Sequence, residues 1–214
     1  MIDAYIDELS ETLRGGPRSA RVDLLTEARD SLVDAADQYQ LKGLDRQAAE
    51  RRAVREFGAV RVIAPEYQTE LGLAQARRTA LVVFAVVATQ TLVSELAWRS
   101  AATGWTWQPN TAYMLLAHLV DYASYAVLGG SLLAAIACGP FLRYVRAGRA
   151  FVRATGLGAL ATCGFFAIGG LLLTAFSPFS LSLPSGGIGL AAAAITWSLP
   201  ACVIYSGRRC LRAA

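Results

Sequence analysis

RRTALVVFAVVATQTLV, Arg77 to Val93, is where this chain changes solvent. After the two arginines the next charge is Glu95, and three further apolar stretches follow. Before them a charge comes every few residues: fourteen of the sixteen acidic side chains precede Arg77. The whole chain is 55 % hydrophobic and 17 % charged. A soluble domain usually has about a quarter of its residues charged. Beyond Arg78 every basic residue is arginine, and seven of those eight fall in two clusters. The net charge of +4 is thus mostly a membrane-topology signal and not the footprint of a nucleic-acid-binding face, so no direct nucleic-acid partner is expected. The opening MIDAYIDELSETLR is acidic and amphipathic. It lacks the basic flank and apolar core of a signal peptide, so the first apolar stretch is expected to remain as an anchor.

A helical span needs roughly 20 predominantly apolar residues. Four stretches qualify, at about 79–98, 116–141, 155–176 and 187–205. Arg77 and Arg78 precede the first. Arg143, Arg146, Arg149 and Arg153 lie between the second and third, and Arg208, Arg209 and Arg212 follow the fourth. The other two connections hold only Arg99. The positive-inside rule then predicts a multi-pass protein of the cell membrane, its partner the lipid bilayer and both termini cytoplasmic. Trp98, Trp105, Trp107 and Tyr113 read as an aromatic belt at the outer interface, or more sharply as a lid. Ala154, Gly158 and Thr162, and likewise Ala159, Cys163 and Ala167, form small-residue stripes along the third span. These allow close helix packing within the bundle, or alternatively a homodimer face. Pro200 is expected to bend the fourth span.

Few side chains in this half carry chemistry. Glu95 and Arg99 are four apart and can pair on one helix face. His118 and Asp121 are three apart at the start of the second span. Intramembrane acids suggest function, and a His-Asp pair can relay protons or sense pH; a solvated helix end or a bundle hydrogen bond is the structural alternative. Cys138, Cys163, Cys202 and Cys210 show no metal-ligand spacing and read as packing residues, without a disulfide. No nucleophile-base pair, HExxH or phosphate loop is present, so neither catalysis, a metal nor a cofactor is expected.

Residues 1–73 predict a small, all-helical cytoplasmic domain, and 74–214 a four-helix transmembrane domain. Ile2, Tyr5, Ile6, Leu9 and Leu13 recur at helical spacing until Gly15-Gly16-Pro17 stops them. A second helix, about 18–40, has Ser19 as its expected cap and Val22, Leu25, Leu32, Ala36 and Tyr39 as its apolar seam. Asp23, Glu27, Asp30, Asp34 and Asp37 form an acidic face on the same helix, a candidate partner surface or simply a solvated one. After a turn at Leu41–Leu44, Asp45 caps a third helix that buries Ala49, Ala53, Val54 and Phe57 and ends at Gly58. Val60, Val62, Ile63 and Tyr67 begin a fourth segment leading into the first span, with Pro65 expected to kink or delay it.

The ordered elements Tyr5-Ile6-Asp7-Glu8-Leu9, Leu13-Arg14-Gly15, Leu24-Leu25-x-Glu27 with Leu32, Gly43-Leu44-Asp45 and Phe57-Gly58 resemble one known family. It is HAAS, the helical signalling domain associated with helix-turn-helix regulators, also named permease prefix domain. The likeness covers about the first third of the chain. It departs from the family pattern at Ser31, where histidine is usual, and at Ala59-Val60 after the Phe-Gly pair. The resemblance implies a membrane-bound signalling protein that partners a PadR-like winged-helix transcriptional regulator. The alternative is a membrane component of a transporter or permease system, against which stand four short-looped spans and no nucleotide-binding motif.

Overall fold

The structure is a computed structural model that describes residues 1–101, 110–138, 148–176 and 200–211. All the regular structure among them is helical: α1 (Ile2–Thr12), α2 (Arg18–Leu41), α3 (Arg46–Phe57), α4 (Val60–Ala101), α5 (Thr111–Ala137), α6 (Gly148–Phe176) and α7, whose described part runs over 200–211.

The N-terminal helices end where the sequence denies them a next turn. Gly15 and Gly16 have φ of 68° and 77°, Gly43 93° and Gly58 110°, a region other residues rarely enter. Asp45 accepts the Ala48 N–H at 2.8 Å and so caps α3 as expected. At α2, however, the residue before the helix is Pro17, with φ −68° and no side-chain cap bond, and Ser19 already lies inside. Proline's fixed φ is itself suited to a helix start.

α1, α2, α3 and the first turns of α4 enclose one core. It contains Ile2, Tyr5, Leu9 and Leu13, Ala28, Leu32 and Ala36, Ala49 and Ala53, and Val60 and Leu71. Val22, expected in the α2 seam, is 61 % exposed. It stands about 80° around the helix from Leu32 at 3.6 residues per turn, off the stripe that Leu25, Ala28, Leu32 and Ala36 share. Phe57 is half-buried and meets Tyr5 edge-to-face at 5.8 Å. The Tyr5 hydroxyl donates to the Gly58 carbonyl at 2.9 Å. The Gln68 amide donates to the Arg14 carbonyl at 2.6 Å and accepts the Arg14 N–H at 2.8 Å, fixing the glycine break to α4.

α4 has 42 residues, about 63 Å at 1.5 Å per residue, roughly twice the thickness of a hydrocarbon core. It starts at Val60 and runs through Pro65, so proline does not delay it. The ring deletes one backbone donor near the start of the helix, and Thr69 Oγ1 donates to the Pro65 carbonyl at 2.8 Å. One helix is thus both the last wall of the N-terminal core and the first apolar span.

Three helices, not four, are long and apolar enough to cross a membrane among the described residues: Val60–Leu96, Thr111–Ala137 and Ala150–Phe176. The fourth expected span, about 187–205, lies outside the described residues except for 200–205, which are helical. The second begins five residues before the expected 116, because Asn110 caps α5 by accepting the Tyr113 N–H at 2.8 Å. The bundle packs through Val83, Val86 and Val87 of α4, Ala159 of α6 and Val203 of α7, with Val127 and Leu128 of α5 against them. Its outer faces carry Leu115, Leu119, Leu133 and Ile136 on α5 and Leu157, Ile168 and Leu171 on α6, all more than half exposed. So much open apolar surface suits a lipid environment and not water.

Candidate functional site: the acidic stripe and the groove below it

α2 is two-sided. Ala28, Leu32 and Ala36 face the core, while Asp23, Glu27, Asp30, Asp34 and Asp37 are all exposed on a stripe roughly opposite. Among the described residues no ion pair includes any of the five; Asp37 only accepts Gln40 Nε2, at 3.5 Å. Arg29 turns away and pairs with Asp3 of α1 at 2.5 Å. Like charges at three- and four-residue spacing repel by about 0.2–0.5 kcal/mol per pair, and the module leaves that cost uncompensated.

Other carboxylates of the module are used internally. Glu56 accepts from the Tyr39 hydroxyl and pairs with Arg52 at 3.0 Å, and those two bonds hold its carboxyl below its ordinary value. The same contact with Glu56 raises the Tyr39 phenol, and burial raises that of Tyr5.

The stripe's first two acids overhang a groove of about 950 Å³ between α2 and α4. Pro17, Ala20, Asp23, Leu24 and Glu27 line one wall; Glu70, Leu73, Arg77, Arg78 and Leu81 line the other, with Cys138 at its end. Just below is a buried layer of Leu73, Ala76, Cys138, Val152 and Cys210. Arg77, Arg78, Arg153, Arg208 and Arg209 lie within two residues of members of that layer in sequence, and all five are exposed. These five arginines, with at least one from each basic cluster, are therefore gathered at one end of the bundle. The same end holds a buried polar link: Thr79 Oγ1 lies 2.9 Å from Ser206 Oγ, and Gln75 Nε2 donates to Thr79 at 3.4 Å. Cys210 Sγ donates to the Val152 carbonyl at 3.3 Å. All four cysteines are free thiols.

Of the polar residues singled out in the spans, Glu95 and Arg99 do pair, at 2.8 Å, in an exposed position. His118 and Asp121 are both exposed on α5, and neither a hydrogen bond nor an ion pair joins them. Tyr113 is half-buried. The side chain of Trp98, and all of Trp105 and Trp107, lie outside the described residues. Among the described residues no three of His, Cys, Asp and Glu converge where they could hold a metal ion. Ala159 and Cys163 of the small-residue stripes face the bundle, but Ala154 and Ala167 are exposed.

Sequence reading missed the groove and a close contact between α6 and α7. A Cβ on Gly156 would lie 3.0 Å from Leu211 and 3.3 Å from the Gly207 carbonyl. Gly156 and Gly207 were two glycines among nineteen, and only the crossing of α6 and α7 singles them out.

The described residues form an N-terminal helical module that shares one helix with an apolar bundle holding three candidate membrane spans. Residues 4–66 match the family model described as HAAS, and the chain carries a HAAS domain there. Comparison with curated proteins and with solved structures gives no match.

Proposed function

We propose that this chain is a membrane-held signalling protein, not an enzyme, whose HAAS module lies in the cytoplasm and binds a PadR-like winged-helix transcriptional regulator. The observation that carries this reading is the exposed acidic stripe of α2, unpaired, on a module that matches HAAS. A stripe of one sign steers a cationic surface toward it and sets its orientation on docking. The arginines gathered at one end of the bundle support an inside-facing module, with four spans and both termini in the cytoplasm.

The test is capture of PadR-type winged-helix regulators from the same genome, each tried in turn, using the full chain in detergent as bait. Capture should be stronger at low than at high ionic strength. Asp30→Lys with Asp34→Lys should weaken it at least about tenfold, about 1.4 kcal/mol, with helicity retained. No capture by the wild-type chain would sink the signalling reading. Undiminished capture by the folded double variant would remove this face from the contact.

A further inference from the structure

We propose that the groove between α2 and α4 is a binding site for a phospholipid whose headgroup carries a primary ammonium, of the phosphatidylethanolamine type. The inference rests on the membrane reading of α4 but not on any regulator. Arg77 and Arg78 stand where the charged part of α4 gives way to its apolar part, which is where a lipid phosphate lies. Both are exposed in the groove, as are Asp23 and Glu27 on the facing wall. Among the described residues no ion pair joins Asp23 or Glu27 to Arg77 or Arg78. Opposite charges held apart across a cleft are complementary to a dipolar ligand that spans them.

Phosphoethanolamine is such a ligand. Its phosphate accepts charge-assisted hydrogen bonds from the two guanidinium groups, a geometry arginine is suited to. Its ammonium has three N–H donors for the carboxylates of Asp23 and Glu27. Leu73 and Leu81 supply apolar wall beside the charges. A second, apolar cavity of about 210 Å³ lies between α4, α5 and α6. It reaches Ala134, one turn along α5 from Cys138 in the groove. The charge count selects among lipids. Two carboxylates, Asp23 and Glu27, face two arginines, Arg77 and Arg78, a balance that matches a headgroup with one negative and one positive charge. A phosphatidylglycerol headgroup carries the negative charge alone. A phosphatidylcholine headgroup is neutral overall, but its trimethylammonium has no N–H to donate.

The experiment is native mass spectrometry of the full chain in detergent, with palmitoyl-oleoyl phosphatidylethanolamine, phosphatidylcholine or phosphatidylglycerol added at equal concentration. Phosphatidylethanolamine should be retained about tenfold over each of the others, the order that one or two charge-assisted hydrogen bonds supply. Asp23→Asn with Glu27→Gln should reduce that preference over phosphatidylcholine to parity. Arg77→Gln with Arg78→Gln should lower retention of all three lipids. Asp34→Asn, on the same stripe but outside the groove, should leave the preference intact. Equal retention of the three lipids by the wild-type chain, or stronger retention of phosphatidylglycerol, would overturn the proposal. So would an unchanged preference in the folded Asp23/Glu27 variant, or an equal loss in Asp34→Asn. Loss of regulator capture leaves all these readings unaffected, so the two proposals fail separately.

Discussion

Leu32 of α2 is wholly buried in the N-terminal core, which it shares with side chains of α1, α3 and α4. Leu32→Ala should cost about 2–5 kcal/mol, enough to unfold a module of this size, for which stability is marginal. Phe57→Ala should cost less, because that ring is only half-buried and rests on Tyr5 alone among the aromatics. Thermal melts of the full chain in detergent, followed by circular dichroism, give the order; Phe57→Ala melting below Leu32→Ala would refute it. Glu56 makes a pH prediction. Its folded carboxyl is held below the ordinary 4.5 by Tyr39 and Arg52. Its contribution is therefore complete above the unfolded value and is lost as pH falls through the lowered folded value. Glu56→Gln should lower the melting temperature at pH 7 and matter progressively less as the pH falls below the ordinary carboxylate range; a difference that stays constant throughout would show that Glu56 contributes nothing through its charge. At this scale much was legible. Asp45 and the glycines at 15, 16, 43 and 58 act locally, through their own dihedrals or a neighbour's N–H. Ser19 and Val22 misled, because the start of α2 is set by Pro17 and its rotation by the packing of three other helices.

Helices were legible as elements, and their ends less so. α4 reads in sequence as two things, an amphipathic segment and an apolar span, because its environment changes at Arg77 while its backbone does not. α5 begins early because Asn110 is a cap whose meaning depends on the turn that follows. Packing between elements was the least legible, since small-residue stripes mark several possible faces and only the crossing chooses one. The Gly156–Gly207 crossing is therefore open to test. Gly156→Ala should destabilise the bundle by about 1–3 kcal/mol, the usual cost of overpacking, since its new methyl meets Leu211 and the Gly207 carbonyl. Gly158→Ala has nothing within 4 Å of its Cβ and should be neutral, or stabilising by about 0.5–1 kcal/mol through helix propensity. Melting of the two variants in detergent compares them directly; equal effects would mean that α6 and α7 do not touch at Gly156.

For the whole molecule, hydropathy and the run of arginines disclosed a helical module on an apolar bundle, and an ordered set of short motifs disclosed HAAS. Neither could disclose the groove, whose walls are some fifty residues apart in the chain and meet only because α2 folds back onto α4. Membrane topology is the prediction that belongs here. Single cysteines introduced at Thr103 and Ser182 in a chain without its native cysteines should react with an impermeant maleimide on intact cells, and those at Gly148 and Ala213 should not. Reaction at Gly148 would overturn the inside-facing assignment of the module.

α4 has one more effect. Leu71 closes the core of the module and Leu73 opens the layer beneath it, so a single residue of one continuous helix separates the two. There is no tether to pay out and no joint at which to turn. In the membrane placement proposed above, height over the bilayer and compass bearing around the bundle are both fixed for α2. Whatever lands on its acidic side gives up a volume for a sheet, and arrives already facing one way within it.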